Sequence, residues 1–199
     1  LLKFLGVTSL DFQDKNKIRE FSQAYNIPID LIPYRYLDKM NFADKLFYYL
    51  KRFTRLSYWD GSVYEYSDLK ISQKMEEILQ NWRPDIVWFD YTFMRPLYKL
   101  ARRYGCRVIT HSLIYEPNNL LEEEGGNFIN YCRAKLKTLT ESKSVKKSDY
   151  IFAITPQETD LYKKLGAKNI ATLPLRALYN FIGKNNNVRD KEALNVFFM

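Results

Sequence analysis

The chain has 199 residues and a formal net charge of +8 at pH 7, and 46% of its residues are hydrophobic. This composition is too apolar for a disordered protein, and it is sufficient for one large core. No apolar run approaches the about 18 residues that a membrane-spanning helix needs, and the first residues lack the pattern of a cleavable signal peptide. The charge favours an anionic partner, but no zinc-finger or RNA-binding motif accompanies it, so nucleic acid is not expected.

The first predicted elements are two strands with a helix between them. The run LKFLGVTSL is either one strand, or LLKFL ends a helix at Gly6 and VTSLDF is the strand. After it, KNKIREFSQAYN predicts a helix that ends at Asn26, and IPIDLIPY predicts the next strand.

Residues 42–59, FADKLFYYLKRFTRLSYW, combine a helical apolar stripe with basic and aromatic side chains. Leu46, Leu50 and Phe53 fall on one helical face. Such a helix packs either against the core or at an anionic membrane surface, with its aromatic rings at headgroup depth. The second interpretation assigns the membrane contact to Lys51, Arg52, Arg55 and Trp59.

Helices and strands alternate through the rest of the chain. Residues 67–82 are a predicted amphipathic helix, because its apolar residues follow helical spacing: Ile71, Met75, Ile78, Leu79 and Trp82. The predicted strands are PDIVWFD, CRVITHS, YIFAI and NIATLPL, and the helix MRPLYKLARRY ends at Gly105.

The segment TPQE contains a predicted capping box. Thr155 accepts a hydrogen bond at the start of a helix, Pro156 suits its first position, and Glu158 reaches back. This helix is expected to end at Gly166, which tolerates the left-handed conformation of a helix stop.

Strands that alternate with helices predict an α/β fold with an open, mostly parallel sheet and helices on both faces. Ligands of such folds bind beyond the carboxyl ends of the strands. We therefore expect one crevice lined by the side chains that follow strand ends, which are Asp90, Tyr91, His111, Ser112, Thr155 and Arg176.

Two of the crevice candidates, and Glu116 as a further candidate near them, have a second interpretation. His111, the only histidine, either contacts substrate or moves a proton, or it caps and packs a strand end. Asp90 either binds an acceptor hydroxyl or caps the following helix. Glu116 is either a polar partner in the crevice or a carboxylate in water.

Several kinds of catalytic site lack their sequence motifs. The two cysteines have no metal-binding or redox spacing, and with one histidine no metal site is expected. No G-x-G-x-x-G, P-loop or G-x-S-x-G motif occurs, so a nucleotide-binding glycine loop and a serine triad are not expected either.

The segments RPDIVWFDY, LARRYGCRVITHSLIYE and KKSDYIFAITPQETDLYKKLGAKNIATLPL follow one another in this order. In order and spacing they resemble the amino-terminal domain of the retaining GT-B glycosyltransferases of group 1, the family-4-like enzymes. The resemblance covers residues 67–199 well and residues 7–35 more loosely. It departs at PLRAL, where the family has PNGVD and this chain has Arg176. The family's first glycine-rich loop is also absent, which favours the loss of a first strand and helix.

The resemblance implies that residues 1–183 form a Rossmann-like acceptor-side domain. Residues 184–193 would then be a linker, and residues 194–199 the first strand of a truncated donor-binding domain. The implied parent enzyme is a hexosyltransferase that moves a sugar from a nucleotide-sugar to a glycan or lipid-linked acceptor with retention, as in polysaccharide biosynthesis. No metal cofactor is implied, and the isolated chain would be inactive.

By position, His111 matches the family's cleft histidine and would be the catalytic residue, and Arg176 would face phosphate. The implied enzyme is cytoplasmic, or peripheral on the cytoplasmic face of a membrane. A non-catalytic GT-B-like regulatory or scaffold protein is the alternative, and a sugar-nucleotide epimerase is the third possibility.

Overall fold

Apolar runs and amphipathic helices alternate in the structure as they do in the sequence. The computed structural model describes residues 2–10, 14–174 and 196–199. Seven strands form one sheet: β1 Leu2–Ser9, β2 Ile29–Tyr34, β3 Ile86–Asp90, β4 Arg107–Ser112, β5 Tyr150–Ala153, β6 Ile170–Thr172 and β7 Val196–Phe198. All neighbouring pairs are parallel, which confirms the predicted open α/β sheet.

Eight α-helices flank the described sheet. They are α1 Lys15–Tyr25, α2 Phe42–Arg52, α3 Gly61–Glu65, α4 Leu69–Trp82, α5 Tyr98–Arg103, α6 Glu116–Glu124, α7 Phe128–Lys147 and α8 Pro156–Lys164. Short 3₁₀ turns occupy Leu37–Lys39, Leu56–Trp59 and Thr92–Leu97. None of the helices described is long and apolar enough to cross a membrane.

The strand order is β2-β1-β7-β3-β4-β5-β6. From β1 the chain moves through α1 to one edge of the sheet, and from β3 it moves through β4 and β5 to the other edge. Because such crossovers are right-handed, α1 covers one face and the helices after β3 cover the opposite face. The direction in which successive strands are added thus reverses at β7, which lies between β1 and β3.

The main core lies on the face opposite α1. The side chains of α4 that follow helical spacing are buried as predicted, and they belong to one cluster with apolar residues of β3, β4 and β7: Ile71, Met75, Ile78, Leu79, Val87, Phe89, Val108 and Phe197. A second cluster joins α7 and α8 to β5 through Val145, Ile151, Ala153 and Tyr162. The alternation of strand side chains thus explains which residues are buried.

The first strand settles one open alternative. Leu2–Ser9 is continuous and pairs with β2 from Phe4 to Ser9, so the interpretation of LLKFL as a helix end is wrong. Gly6 lies inside this strand, where an added Cβ would come 3.0 Å from Leu31 Cδ2. A side chain at this position would therefore require the Leu31 side chain to move.

The last strand corrects the predicted domain boundary. Residues 194–199 were expected to open a second domain, but Val196–Phe198 pairs with both β1 and β3 in the same sheet. Phe198 stacks on Phe4 at 4.8 Å between ring centroids and packs against Trp88 at 5.3 Å. A short apolar strand is stabilised when its backbone groups pair with a strand on each side. The predicted linker, residues 184–193, lies outside the described residues.

Helix α8 begins and ends as its sequence predicts. Thr155 Oγ1 accepts a hydrogen bond from the backbone N–H of Glu158 at 3.2 Å, and Gly166 follows the helix with φ of +98°. The predicted return contact of Glu158 to the start of the helix is replaced by a different one. The Glu158 carboxylate accepts a hydrogen bond from the backbone N–H of Tyr115 at 3.0 Å, so it ties α8 to the loop after β4.

Candidate functional site at the carboxyl edge of the sheet

Two candidate residues meet at the ends of neighbouring strands. In the register of β3 and β4, Asp90 lies opposite His111. The His111 Nδ1 atom is 3.3 Å from Asp90 Oδ1, and the Trp88 indole N–H donates to the same oxygen at 2.9 Å. Asp90 therefore binds two side chains of the sheet, and the alternative in which it caps the following helix is not observed.

The histidine is buried, whereas the aspartate reaches solvent. Only 4% of the His111 side chain is exposed, against 44% of that of Asp90. In the tautomer that protonates Nδ1, His111 donates to Asp90 and Nε2 is an acceptor. Within the described residues, Nε2 is buried and has no hydrogen-bond partner. A ligand donor or a water molecule that reached Nε2 would remove this desolvation cost.

Tyr91 shapes the loop after β3. Its backbone N–H donates to the His111 carbonyl oxygen at 2.8 Å, and its φ of +91° lies where non-glycine residues are strained. The ring stacks on Phe93 at 4.8 Å, and burial raises the pKa of the Tyr91 hydroxyl. The strained turn directs the chain away from the sheet directly after Asp90.

A cavity of about 700 Å³ lies beside Asp90, where the strand order reverses. Residues 4–8 of β1 line it, α1 contributes Ile18 and Phe21, and Met199 lines it as well. Most of the lining is apolar, and its polar groups include the side chains of Asp90, Thr8 and Lys17 and the hydroxyl of Tyr66. Ligands of open parallel sheets bind at this kind of switch point.

Ser112 is a correction to the predicted crevice. Its hydroxyl is buried on the opposite face of the sheet, 2.5 Å from the Tyr162 hydroxyl, and it donates to the Ile114 carbonyl oxygen at 3.0 Å. Successive strand residues point to opposite faces, so His111 and Ser112 do not line the same crevice.

Glu141, which the sequence analysis missed, continues the network around Ser112. The Tyr162 hydroxyl donates to Glu141 Oε2 at 3.1 Å, and burial raises the pKa of Glu141 to about 8. The sequence gives little indication that Glu141 is buried, because it lies within a polar helix, α7.

The other predicted substrate residues have protein partners. Thr155 caps α8, so its hydroxyl serves the helix. Glu116 begins α6 and accepts a hydrogen bond from Lys137 Nζ at 2.9 Å, which makes it part of an ion pair and not a carboxylate in water. Arg176 lies outside the described residues.

A buried charge cluster surrounds Lys137, and the sequence analysis missed it as well. Lys137 Nζ is 2.9 Å from Glu116 Oε2 and 3.6 Å from Asp60 Oδ1. These carboxylates help to raise the Lys137 pKa against the lowering effect of burial. The cluster joins α6 and α7 to the start of α3, and no regular spacing in the sequence could have indicated it.

Two of the four residues predicted to contact a membrane, Arg52 and Trp59, contact each other instead. Arg52 stacks on the Trp59 ring, with 4.5 Å from the guanidinium carbon to the ring centroid, and the Trp59 indole N–H donates to the Arg52 carbonyl at 3.2 Å. Lys51 lies over the Phe47 ring at 4.5 Å and Arg55 over the Tyr58 ring at 5.6 Å. Arg52 and Trp59 therefore hold each other in place.

The apolar stripe of α2 points to solvent. Tyr48 is the buried residue of this helix, whereas Leu50 and Phe53 are 57% and 83% exposed. Further large apolar side chains are exposed around them: Phe42, Leu46, Phe47, Tyr49 and Leu56. We call this set the α2 surface. Its exposure contradicts the interpretation in which the stripe packs against the core.

Neither cysteine takes part in the candidate site. Cys106 is buried and Cys132 is exposed, and both are free thiols. Burial raises the pKa of the Cys106 thiol. Within the described ranges, no group of three or more histidine, cysteine and acidic side chains is arranged to hold a metal ion.

In chemical terms, the carboxyl edge combines an exposed carboxylate, a buried imidazole and an adjoining apolar cavity. Such a set can accept hydrogen bonds from ligand hydroxyls at Asp90 and hold an apolar group nearby. Among the described residues it includes no nucleophile activated by a base, and the chemistry that these groups support best is binding and electrostatic stabilisation.

Comparison with known proteins yields little. No family model matches the sequence, and no curated protein matches it. One similar solved structure is a glycerate dehydrogenase related protein from Thermoplasma acidophilum. It is 9% identical over 100% of this chain and 90% of that chain, with a TM-score of 0.17. A score this low supports no inference about function.

Proposed function

We propose that this chain is the acceptor-side domain of a retaining GT-B glycosyltransferase, which transfers a hexosyl group from a nucleotide-sugar to an acceptor. The observation that carries the proposal is the Asp90–His111 pair at the strand-order reversal, beside the cavity of about 700 Å³. The ordered resemblance of residues 67–199 to that family supports it. In this proposal a companion domain holds most of the nucleotide-sugar, and no metal cofactor is needed.

The roles of the two residues follow from their contacts. Asp90 fixes the His111 ring, and Nε2, which is buried and has no hydrogen-bond partner among the described residues, is the atom that would contact the donor sugar or the charge that develops during transfer. The exposed Asp90 carboxylate would accept a hydrogen bond from an acceptor hydroxyl. The mainly apolar cavity lining favours an acceptor that carries an apolar portion, as a lipid-linked acceptor does.

The proposal is tested on the natural full-length protein with a panel of nucleotide-sugars. His111→Ala should lower turnover by about 10²-fold or more, as the loss of one preorganised electrostatic contact does. Ser112→Ala is the matched control, because Ser112 is the next residue of β4 but lies on the other face. NMR of the product should report retention at the anomeric carbon.

Equal losses in the two variants would mean that His111 acts through packing, and full turnover in His111→Ala would remove it from the site. Binding of a nucleotide-sugar without any transfer would favour the second candidate, a non-catalytic regulatory or scaffold protein. The observation behind that candidate is the burial of His111, which is only 3% exposed.

We also propose that the α2 surface places the enzyme on an anionic membrane, on its cytoplasmic face. Exposed leucine and phenylalanine side chains beside Lys51 and Arg55 form the pattern of an interfacial helix. Each basic residue near an anionic leaflet contributes about 1 kcal/mol. The net charge of +8 acts in the same direction.

Sedimentation with phosphatidylserine-containing vesicles tests this surface. Phe53→Asp should weaken binding strongly, and Lys51→Glu combined with Arg55→Glu should remove its salt dependence. Arg52 is left intact, since it packs on Trp59. Phe128→Asp is the control, because Phe128 is also 83% exposed but lies at the start of α7. Undiminished binding in the Phe53 variant would contradict the proposal.

A further inference from the structure

Trp88 lies two residues before Asp90 in β3, so the two side chains are on the same face of the sheet. The Trp88 indole N–H donates to Asp90 Oδ1 at 2.9 Å, and His111 Nδ1 is 3.3 Å from the same oxygen. The most frequent N–H···O distance in proteins is about 2.9–3.0 Å. Trp88 therefore makes the shorter of the two contacts, and His111 meets the oxygen where Trp88 holds it.

The Trp88 ring is itself held by its neighbours. It stacks on Phe152 of β5 with 5.2 Å between the ring centroids and packs against Phe198 of β7 at 5.3 Å. It also meets the His111 ring edge-on at 5.7 Å. Aromatic pairs at such separations are favourable, so three of them restrict the indole to one orientation. The Trp88 N–H therefore points in a fixed direction.

The Asp90 carboxylate needs such a fixed donor. Its side chain is 44% exposed, against 4% for His111, so water competes for its oxygens and several rotamers are open to it. The indole is a donor only, and it binds the carboxylate in one sense. Once held, the carboxylate accepts from His111 Nδ1, and this contact leaves Nε2 of the neutral ring as an acceptor.

We propose that Trp88 is a positioning residue of the Asp90–His111 pair: it fixes the carboxylate, and through the carboxylate it fixes the tautomer of the histidine. The inference rests on the proposed function, whose site it completes. In this tautomer Nε2 presents a lone pair, which accepts from a hydroxyl and repels an anionic oxygen. The group selected at Nε2 is therefore a hydroxyl of the donor sugar and not a phosphate oxygen.

NMR reads the tautomer directly, because His111 is the only histidine of the chain. Two-bond proton–nitrogen correlations of the imidazole ring distinguish Nδ1–H from Nε2–H, and they are recorded at a pH where free imidazole is neutral. The signals absent from His111→Ala identify the residue. The unmodified protein should show Nδ1–H. Trp88→Phe keeps a ring and loses the donor, and it should move the tautomer ratio about 10-fold toward Nε2–H, the effect of one lost hydrogen bond.

Turnover of the natural full-length protein gives the second measurement. Trp88→Phe should lower kcat about 10-fold and change KM less than about 2-fold, because Trp88 acts on the pair and not on bound substrate. Trp82→Phe is the matched control. It is the same substitution at the end of α4, against the main core, and it should change neither the tautomer nor kcat.

Phe152→Leu separates the hydrogen bond from the packing of the ring. It removes the ring on which Trp88 stacks and keeps the indole donor, so Nδ1–H should persist. A further measurement does not depend on the folding of the Trp88 variant. The Trp88 indole proton should exchange with solvent at least about 10-fold more slowly in the unmodified protein than in Asp90→Ala. This variant is expected to fold, because Asp90 is 44% exposed.

Three results would overturn the inference. The first is an unchanged tautomer ratio and kcat in Trp88→Phe. The second is equal exchange of the Trp88 indole proton with and without the Asp90 carboxylate. The third is a tautomer shift in Phe152→Leu as large as in Trp88→Phe, which would assign the effect to ring packing. If the unmodified protein transferred no sugar, the proposed function would fail, and the tautomer shift in Trp88→Phe would still decide the role of Trp88.

Discussion

The buried carboxyl group of Glu141 makes the stability of this fold depend on pH. Glu141 is 1% exposed in the middle of α7, and burial raises its pKa from the ordinary 4.5 to about 8. Near neutral pH the folded chain therefore binds a proton at Glu141 that the unfolded chain has released. Its stabilising effect is complete below pH 4.5, and it is lost as the pH rises toward 8.

The size of the effect follows from the two pKa values. Each pH unit between them removes about 1.36 kcal/mol, so the fold loses up to about 5 kcal/mol between pH 4.5 and pH 8. Glu141→Gln keeps the shape and the hydrogen bond from Tyr162 but cannot ionise. At pH 9 the variant should be several kcal/mol more stable than the parent, and at pH 5 the two should agree within about 1 kcal/mol.

Urea unfolding followed by tryptophan fluorescence at pH 5, 7 and 9 measures the difference. Other groups that titrate in this range are present in both proteins and cancel when the two curves are subtracted. Glu122→Gln, on the exposed part of α6, is the control and should follow the parent curve. A constant difference between parent and Glu141→Gln at all three pH values would refute the reasoning.

Two further changes test the core and a helix start by the same unfolding assay. Met75→Ala empties a fully buried position of the main core and should lower the free energy of unfolding by about 2–5 kcal/mol; a loss below about 1 kcal/mol would contradict that packing. Thr155→Ala removes the side-chain acceptor at the start of α8 and should cost about 1 kcal/mol, whereas an unchanged urea midpoint would mean that the cap is not needed.

The elements that the sequence predicted best are those with a single hydrophobic period. The buried stripe of α4 and the strand around Val87 follow directly from the spacing of their apolar residues. The meeting of Asp90 and His111 was predictable too, because the carboxyl ends of neighbouring parallel strands share one edge. Local patterns carry these features, and local patterns are what a single sequence displays.

One error and one alternative that the sequence left open have identifiable physical causes. Ser112 was assigned to the same crevice as His111 although adjacent strand residues point to opposite faces, so the strand period already argued against it. The α2 stripe has the same apolar spacing whether it faces a core or a membrane. Periodicity gives the direction of an apolar face, and only the neighbouring elements decide what lies against it.

The contacts that the sequence hid are those between distant segments. Lys137 meets Asp60 and Glu116 because α7 crosses both the start of α3 and the start of α6. From the sequence alone, each of these residues is expected to be a solvent-exposed charge. Their burial follows from the packing of three elements, which no spacing within one element reveals.

Strand β7 shows how far the candidate site depends on such long-range pairing. The backbone N–H of Met199 donates to the Trp88 carbonyl at 2.7 Å, and the N–H of Asp90 donates to the Met199 carbonyl at 2.8 Å. On its other side Asp90 lies in register with His111 of β4. Asp90 is thus held between β4, the next strand in the sequence, and β7, which lies more than a hundred residues away. A three-residue apolar run such as VFF carries no information about its partners, so the part of the fold that positions Asp90 is the part that the sequence pattern could not supply.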